Sequence, residues 1–488
     1  MLLENDTIIK DENSVAEIFN EFFVNIVEHT TGKKPTTFTF DPNLGEIEHI
    51  ISLYENHLSI SLINEKFPEK QNFEIPLCNE EDIKSIICKL NSNAAAGLDK
   101  ISSKILKLCC EYIKKPLCKI VNSTIKHGKF VSEPECKESI VSPLYKNPEK
   151  GSRLQKSDFR PVSVLTAFSK IFEKYYQNSM LKFTESILSE KISAYRKGSS
   201  CQHVLMSLTE QWRKYIDQNQ YVGAVLMDLS KAFDCLPHEL LISKLHAYGL
   251  GKKTLRLLYS YLRGRKQRVN INGTYSTILE ILSGVPQGSI LGPILFNIFI
   301  NDLLFYIKSA DPFNYADDNN LSSHASNLEK LVANLENATR ESVDWLDENE
   351  MITNAKKFKA IILKKGMPNT SKTCVKIKDL AILSENEVTS LGIKLDNKLA
   401  YSEQISDLCK LAGGRLNALK RLSKYLPLDV RKYYTNTYVL SVFNYGSNVW
   451  HFSGLVELHK MERVKERAIR FMYDDQSTEH YQILKEKK

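Results

Sequence analysis

Two adjacent carboxylates, Asp317 and Asp318, follow an apolar-aromatic run from Phe313 to Ala316 and precede two amides and a leucine. Read with a period of two, Phe313, Tyr315 and Leu321 punctuate a short hairpin with the Asp pair at its turn. An Asp-Asp dipeptide alone is usually a solvated turn, since turns favour Asp. Folding does not require two neighbouring like charges, and a divalent cation shared with a third carboxylate would relieve their repulsion. That third carboxylate is Asp228, at the end of the apolar run YVGAVLMDL (221–229). Such a run reads as a buried central strand that delivers a side chain at its C-terminal edge. Carboxylates from two strands suit a pair of Mg²⁺ ions roughly 4 Å apart, which activate an attacking hydroxyl and stabilise a leaving pyrophosphate. Magnesium keeps several of its waters, so two or three protein carboxylates are enough.

Between these stations lies SGVPQGSILGP (283–293). Its glycines let backbone approach a flat ligand, and Gln287 offers both donor and acceptor. The same segment also reads as the loop before a helix. In RGRKQRVN (263–270), Arg263, Arg265, Lys266 and Arg268 precede an Asn-Gly pair. They suit nucleic-acid phosphates and equally suit a solvated loop.

The elements that must position these residues are partly legible. Helical spacing of Val15, Ile18, Phe19, Phe22, Phe23 and Ile26 marks a helix near the start, capped at Asn13 or Ser14. Residues 33–76 read as a linker with short elements. Helices are expected over 79–90, from Ser102 or Ser103 to Tyr112, and over 116–126, 167–187, 200–219, 238–248, 253–263, 293–307 and 326–348. Strands are expected at 139–145, 159–165, 267–271, 275–282, 360–364 and 388–395, with Asn272-Gly273 as a hairpin turn. Residues 403–488 read as helical and basic. Domain breaks are expected near 80 and 400.

The 488-residue chain carries 42% hydrophobic and 25% charged residues, an ordinary soluble composition. Its formal charge of +8 permits a polyanionic partner without demanding one. Ten cysteines lack Cys-x-x-Cys spacing, which argues against a zinc site and for a reducing compartment. No apolar run is as long as a membrane span, and the N-terminus has no signal-peptide core.

The ordered set of segments resembles the reverse transcriptase of non-LTR (LINE-type) retrotransposons, nearest to the jockey-like elements. AAAGLDKISSKILK (94–107) is similar to the family's segment before the fingers, and 140–174, with FRPVS, to its first polymerase motifs. SAYRKGSSCQH (193–203) resembles a further family segment. VLMDLSKAFDCLPHELLISKL (225–245), SGVPQGSILGPILFNIFINDL (283–303) and YADD (315–318) resemble motifs A, B and C. TNAKKFKAIIL (353–363) and SLGIKLDNKLAYSEQI (390–405) resemble motifs D and E.

The resemblance implies an α+β right-hand polymerase, with fingers, a palm of antiparallel sheet backed by helices, and a helical thumb. Residues 1–79 would be an N-terminal helical linker region, 80–400 fingers and palm (core motifs 128–395), and 401–488 the basic thumb and C-terminal region. It implies two Mg²⁺ ions, replaceable by Mn²⁺, on Asp228, Asp317, Asp318 and the Leu229 carbonyl. Phe233 would be the gate against a ribose 2′-OH, and Pro286, Gln287 and Gly288 would lie beside the incoming nucleotide. Lys146 and Arg160 would bind its triphosphate, with Lys150 competing for the first role. Lys357 would protonate pyrophosphate, with Lys356 and Lys359 as rivals. Implied partners are an RNA template, a DNA primer and dNTPs, without a membrane, and the implied place is intracellular, nuclear or nucleocytoplasmic.

The family's endonuclease and Cys-His knuckles are not visible, although FNEFFVNIVEH (19–29) resembles the linker after an endonuclease. A fragment of an element is therefore expected. The alternatives are another palm polymerase, such as a group II intron maturase or an RNA-dependent RNA polymerase, and a non-catalytic nucleic-acid-binding protein. YADD rather than Gly-Asp-Asp weighs against an RNA-dependent RNA polymerase. The intact carboxylates weigh against the non-catalytic protein.

Overall fold

The structure is a computed structural model that describes residues 2–4, 7–31, 45–146, 154–229, 231–353, 357–366, 372–378 and 380–473. It mixes helices with several sheets and divides into two compact units interleaved along the chain. The first unit takes residues 1–195, 229–306 and 342–354, and the second takes 196–228, 307–341 and 355–488.

The second unit is built on a six-stranded sheet. Its order is Cys374–Ile377, Leu380–Glu385, Lys359–Leu363, Tyr221–Asp228, Asp318–Ala325, Asp311–Tyr315. All neighbours are antiparallel except Lys359–Leu363 with Leu380–Glu385. The strand Tyr221–Asp228 lies inside the sheet with both edges paired, which is why its sequence is almost wholly apolar. Gly223 in that strand serves close packing: a Cβ there would lie 2.9 Å from Leu335 Cδ1 on the helix Leu328–Glu348. The helix Cys201–Asp217 buries Val204, Leu205, Leu208 and Trp212 in the same core as Val222, Ile361 and Val388. Trp212 Nε1 donates to Ser322 Oγ at 2.9 Å, so this large ring is buried with its polar atom satisfied. That core continues through Leu416 of Ser402–Arg421, Trp450 of Ser447–Trp450 and Phe471 of Leu455–Tyr473.

In the first unit a sheet runs Phe159–Val164, Glu138–Tyr145, Arg265–Ile271, Thr274–Tyr275, with Leu279–Ile281 also paired to Arg265–Ile271. The N-terminal helix Glu12–Val24 covers it, burying Val15, Phe19 and Phe23 with Val141 and Val269. Asp11, not Asn13 or Ser14, is its cap, accepting from Ser14 N at 2.8 Å. Glu17 takes the amide and hydroxyl of Thr277 at 2.7 and 2.8 Å, which fixes the helix to this sheet. The helices Glu46–Leu53 and Leu58–Lys66 fall where short elements are expected, and they bury Ile47, Ile50, Ile60 and Ile63.

Local signals misled in four places. The segment 388–395 is a hairpin, Glu387–Ser390 with Ile393–Asp396, because Leu391 and Gly392 turn at positive φ. The run 275–282 divides into Thr274–Tyr275 and Leu279–Ile281. The helix expected from Pro116 begins at Cys110 and continues to His127, with Pro116 inside it. The apolar helix from 293 ends at Ile300, and a short Leu303–Tyr306 follows. At that break Asn301 bonds Ile187 O and Tyr248 Oη, while Asp302 joins the fully buried Lys244 at 2.7 Å and Trp345 Nε1 at 2.7 Å. Among the described residues no helix is long and apolar enough to cross a membrane.

Candidate active site

The carboxylates are positioned by register. In the antiparallel pair Tyr221–Asp228 and Asp318–Ala325, Asp318 stands directly opposite Asp228. Asp318 is also paired with Tyr315 across the hairpin, so Ala316 and Asp317 form a two-residue turn, with Ala316 at φ 56°. Asn314 braces the turn, its Nδ2 donating to Ala316 O at 2.9 Å and to Asn319 Oδ1 at 2.8 Å. The expected hairpin and its Asp pair therefore lie where the sequence puts them.

Burial, then the charges of Asp317 and Asp228, push the Asp318 carboxyl up to about 6. Lys357 Nζ lies 2.8 Å from Asp228 Oδ2 and is the cation that this carboxylate has drawn in. Lys359 pairs instead with Glu385 at 3.1 Å, and Lys356 lies outside the described residues. A cleft of ≈ 500 Å³ borders Asp228, Asp318 and Lys357, and Asn320, Glu385 and Ser390 also line it. Three hard oxygen donors, crowded enough to raise one pKa, fit a divalent cation such as Mg²⁺. Among the described residues they are not already drawn together as a cage.

In the first unit, the Gly-bearing loop closes on the residues that follow the central strand. Gly284 N donates to Leu236 O and Val285 N to Phe233 O, both at 2.8 Å. A Cβ on Gly284, at φ +77°, would meet Asp234 O at 2.5 Å, so only glycine fits. Pro286 is buried. Gln287 O accepts from Ser163 N at 2.8 Å, and a Cβ on Gly288 would meet Ser163 O at 2.3 Å. The Gln287 amide is engaged, with Nε2 at 2.9 and 2.8 Å from the two Asp234 carboxylate oxygens. Phe233 stacks on Phe296 at 4.8 Å with Tyr195 edge-on at 6.2 Å. Leu229 is buried and bridges to Thr353.

Arg160 sits on the strand Phe159–Val164 and Lys146 directly follows the adjacent strand Glu138–Tyr145; Leu144 faces Arg160, and Lys146 N donates to Asp158 O at 2.9 Å. Arg160 is exposed, and Lys146 Nζ reaches Ser157 O at 2.7 Å. The competing Lys150 lies outside the described residues.

A family model described as reverse transcriptase (RNA-dependent DNA polymerase) matches residues 146–395, half of the chain. The chain belongs to the reverse transcriptase family. Among its relatives is the "Probable RNA-directed DNA polymerase from transposon BS" of Drosophila melanogaster. It is 25% identical over 432 residues, which cover 83% of this chain and 46% of that protein. The "RNA-directed DNA polymerase from mobile element jockey" of Drosophila funebris is 24% identical over 80% of this chain and 43% of that protein. A yeast (Saccharomyces cerevisiae) "Putative COX1/OXI3 intron 2 protein" is 33% identical over 31% of this chain and 16% of that protein. The chain spans less than half the length of these relatives.

The match contains the segments 193–203, 225–245, 283–303, 315–318 and 353–363 in full, overlaps 140–174 and 390–405 in part, and leaves 94–107 outside. The basic set before the Asn-Gly turn needs correction. Residues 265–271 are a strand, not a solvated loop, and Arg265 is 2% exposed, with Nη1 on Tyr261 O at 3.1 Å. Arg268 is paired with the buried Glu138, and Arg263 with Glu46 at 3.4 Å. Arg265 is therefore withdrawn as a phosphate ligand, while Lys266 is exposed. Two residues escaped the sequence reading. Glu173, buried on the helix Ala167–Ile187, accepts the amides of Ile290 and Leu291 ahead of the helix Gly292–Ile300, and nothing local announces it. Asp234 had a signal, a carboxylate directly after Phe233 in KAFD.

Proposed function

We propose that this chain is an RNA-directed DNA polymerase of a non-LTR retrotransposon, transferring deoxynucleotides from dNTPs to a primer 3′-OH on an RNA template. The observation that carries this reading is the register that sets Asp318 opposite Asp228 beside Asp317, with burial and like charges raising the Asp318 carboxyl. In this reading Asp228, Asp317, Asp318 and the Leu229 carbonyl hold two Mg²⁺ ions, or Mn²⁺ in their place. Such ions supply the charge that makes the primer hydroxyl a nucleophile at neutral pH and offsets the negative charge of the leaving pyrophosphate.

The chain's own residues do the rest. Lys146 and Arg160 bind the triphosphate through charge-assisted hydrogen bonds. Phe233, fixed by Phe296 and Tyr195, closes the space that a ribose 2′-OH would need. Pro286, Gln287 and Gly288 line the nucleotide. Lys357 leaves Asp228 when cations bind there and gives a proton to pyrophosphate. The six-stranded sheet is the palm, residues 80–400 hold fingers and palm, and 401–488, whose described part ends at Tyr473 and is helical and basic, is the thumb and C-terminal region. Residues 1–79 serve as an N-terminal helical region. Arg263, Lys266 and Arg268 contact nucleic-acid phosphates. The nucleus as the place of work follows from kinship with mobile elements alone.

The test is primer extension on poly(rA) with oligo(dT), dTTP and Mg²⁺, with an Asp317→Asn/Asp318→Asn variant beside the wild type. Extension by the wild type alone supports the reading. A folded wild-type chain that extends nothing overturns it and favours an element-derived nucleic-acid-binding protein.

A further inference from the structure

The loop 283–288 has its backbone fixed from two sides within the first unit. Val285 N is bonded to Phe233 O, and Gln287 O receives Ser163 N, each at 2.8 Å. The missing side chains of Gly284 and Gly288 permit both approaches. With the backbone fixed, only the side-chain torsions of Gln287 remain to be set. A primary amide has a donating and an accepting edge that are nearly the same shape, so packing alone does not choose between them. A carboxylate only accepts, so the edge facing Asp234 must be the Nε2 amino group, and it lies 2.9 and 2.8 Å from the two oxygens. Asp234 is itself anchored, since its backbone oxygen accepts from Ser283 Oγ at 3.1 Å. Burial works to neutralise this carboxyl, while the Gln287 amide and the charges of Lys231 and Lys146 keep it ionised.

We propose that Asp234 is a positioning residue for nucleotide selection, acting through Gln287: it takes the amino edge of the amide and thereby presents the Oε1 acceptor edge to the incoming dNTP. The inference rests on the polymerase reading. It assigns a task to a carboxylate that binds no metal in that reading and reaches the substrate only through another side chain. It also specifies the chemistry of the contact, because the ligand group meeting Gln287 must be a donor. Asn at 234 would keep the shape and offer one accepting oxygen, with an amino group at the other position where the two amides would compete. Ala would free the Gln287 amide to turn.

The experiment is a double-mutant cycle of Asp234→Ala and Gln287→Ala, with Asp234→Asn as the isosteric variant, and with thermal unfolding run on each chain. Steady-state dTTP kinetics on poly(rA)/oligo(dT) should show KM raised about tenfold in Asp234→Ala, the scale of one charge-assisted hydrogen bond, with kcat within about twofold. Asp234→Asn should fall between that variant and the wild type. In the Gln287→Ala background, Asp234→Ala should add nothing further to KM. Full additivity of the two substitutions, or equal losses in kcat and kcat/KM with KM unchanged, would overturn the proposal. Equilibrium binding of dTTP to the chain on a dideoxy-terminated primer and template reads the same cycle without chemistry. A wild type that binds dTTP but does not extend primer would therefore sink the polymerase reading and leave the cycle decisive. A wild type that does not bind dTTP would overturn both.

Discussion

Two carboxyls in this molecule are driven up to about 6, and they are treated differently. Asp318 is raised by burial and then by Asp317 and Asp228, charges of its own sign. Asp234 is raised by burial alone, and the Gln287 amide, Lys231 and Lys146 all oppose that shift. The first cluster therefore needs positive charge from outside the chain, and Lys357 is a partial answer at Asp228 only. The second is complete in itself. In the proposed reading, the cluster that receives cations holds only like charges around Asp318, while the carboxylate that holds a side chain still has its own amide and lysine partners.

The comparison breaks or sharpens under substitution. The largest expected effect is on activity: Asp318→Asn should lower primer extension by at least about 10³-fold, since charge stabilisation is the main part of phosphoryl-transfer catalysis. If Asp318→Asn extends primer at near wild-type rates, the cluster is not the metal site. Next is discrimination. Phe233→Val should raise incorporation of a ribonucleotide relative to its deoxynucleotide by about 10²-fold, measured as the ratio of the two kcat/KM values. An unchanged ratio would remove Phe233 as the gate.

Stability should move the opposite way from activity. A carboxyl whose folded pKa lies above its ordinary value binds protons more readily in the folded state, so its contribution to stability grows as pH falls through about 6 toward 4. At pH 7.5, without divalent cations, Asp318→Asn should be more stable than wild type by about 1–2 kcal/mol after solvent screening. That advantage should close as the pH falls below about 6, because wild-type Asp318 is then protonated too. Adding Mg²⁺ should raise the Tm of the wild type and not of the variant. Asp234→Asn should show a smaller advantage at pH 7.5, because relief of the buried charge is offset by loss of one of the two Gln287 hydrogen bonds, where the new amino group would face the Gln287 amide. Equal gains at the two sites would erase the distinction between them. The smallest effect is expected at Lys266, where Ala should leave kcat unchanged and flatten the salt dependence of template–primer binding by roughly one ion.

What the sequence disclosed was what short-range chemistry decides. The strand Tyr221–Asp228 announces itself by unbroken apolarity, the helix Ala167–Ile187 by periodicity, and the turn after Ile271 by Asn-Gly. The carboxylates were legible because their placement follows from strand ends and a two-residue turn. The strands Cys374–Ile377 and Leu380–Glu385 were missed because they are only four and six residues long, too short for the alternation of Val375, Lys376 and Ile377 to stand out. Arg265 was misplaced because a basic run looks the same whether its guanidinium faces water or lies against Tyr261, 4.7 Å from the ring. The Asp234–Gln287 contact joins residues 53 positions apart and was beyond any local pattern.

The N-terminal helix has a consequence for how the chain is made. Glu17 meets Thr277 across 260 residues of sequence, so the helix leaves the ribosome long before the strand it covers exists. At about 5–20 residues per second, that gap lasts roughly 15–50 s. For much of that interval Phe19 and Phe23, buried in the finished molecule, have only the strands Glu138–Tyr145 and Phe159–Val164 to lie against, without Arg265–Ile271 and its Val269. Residues 12–24 are thus made well before the sheet they cover is complete, and they settle late in the folding of their unit.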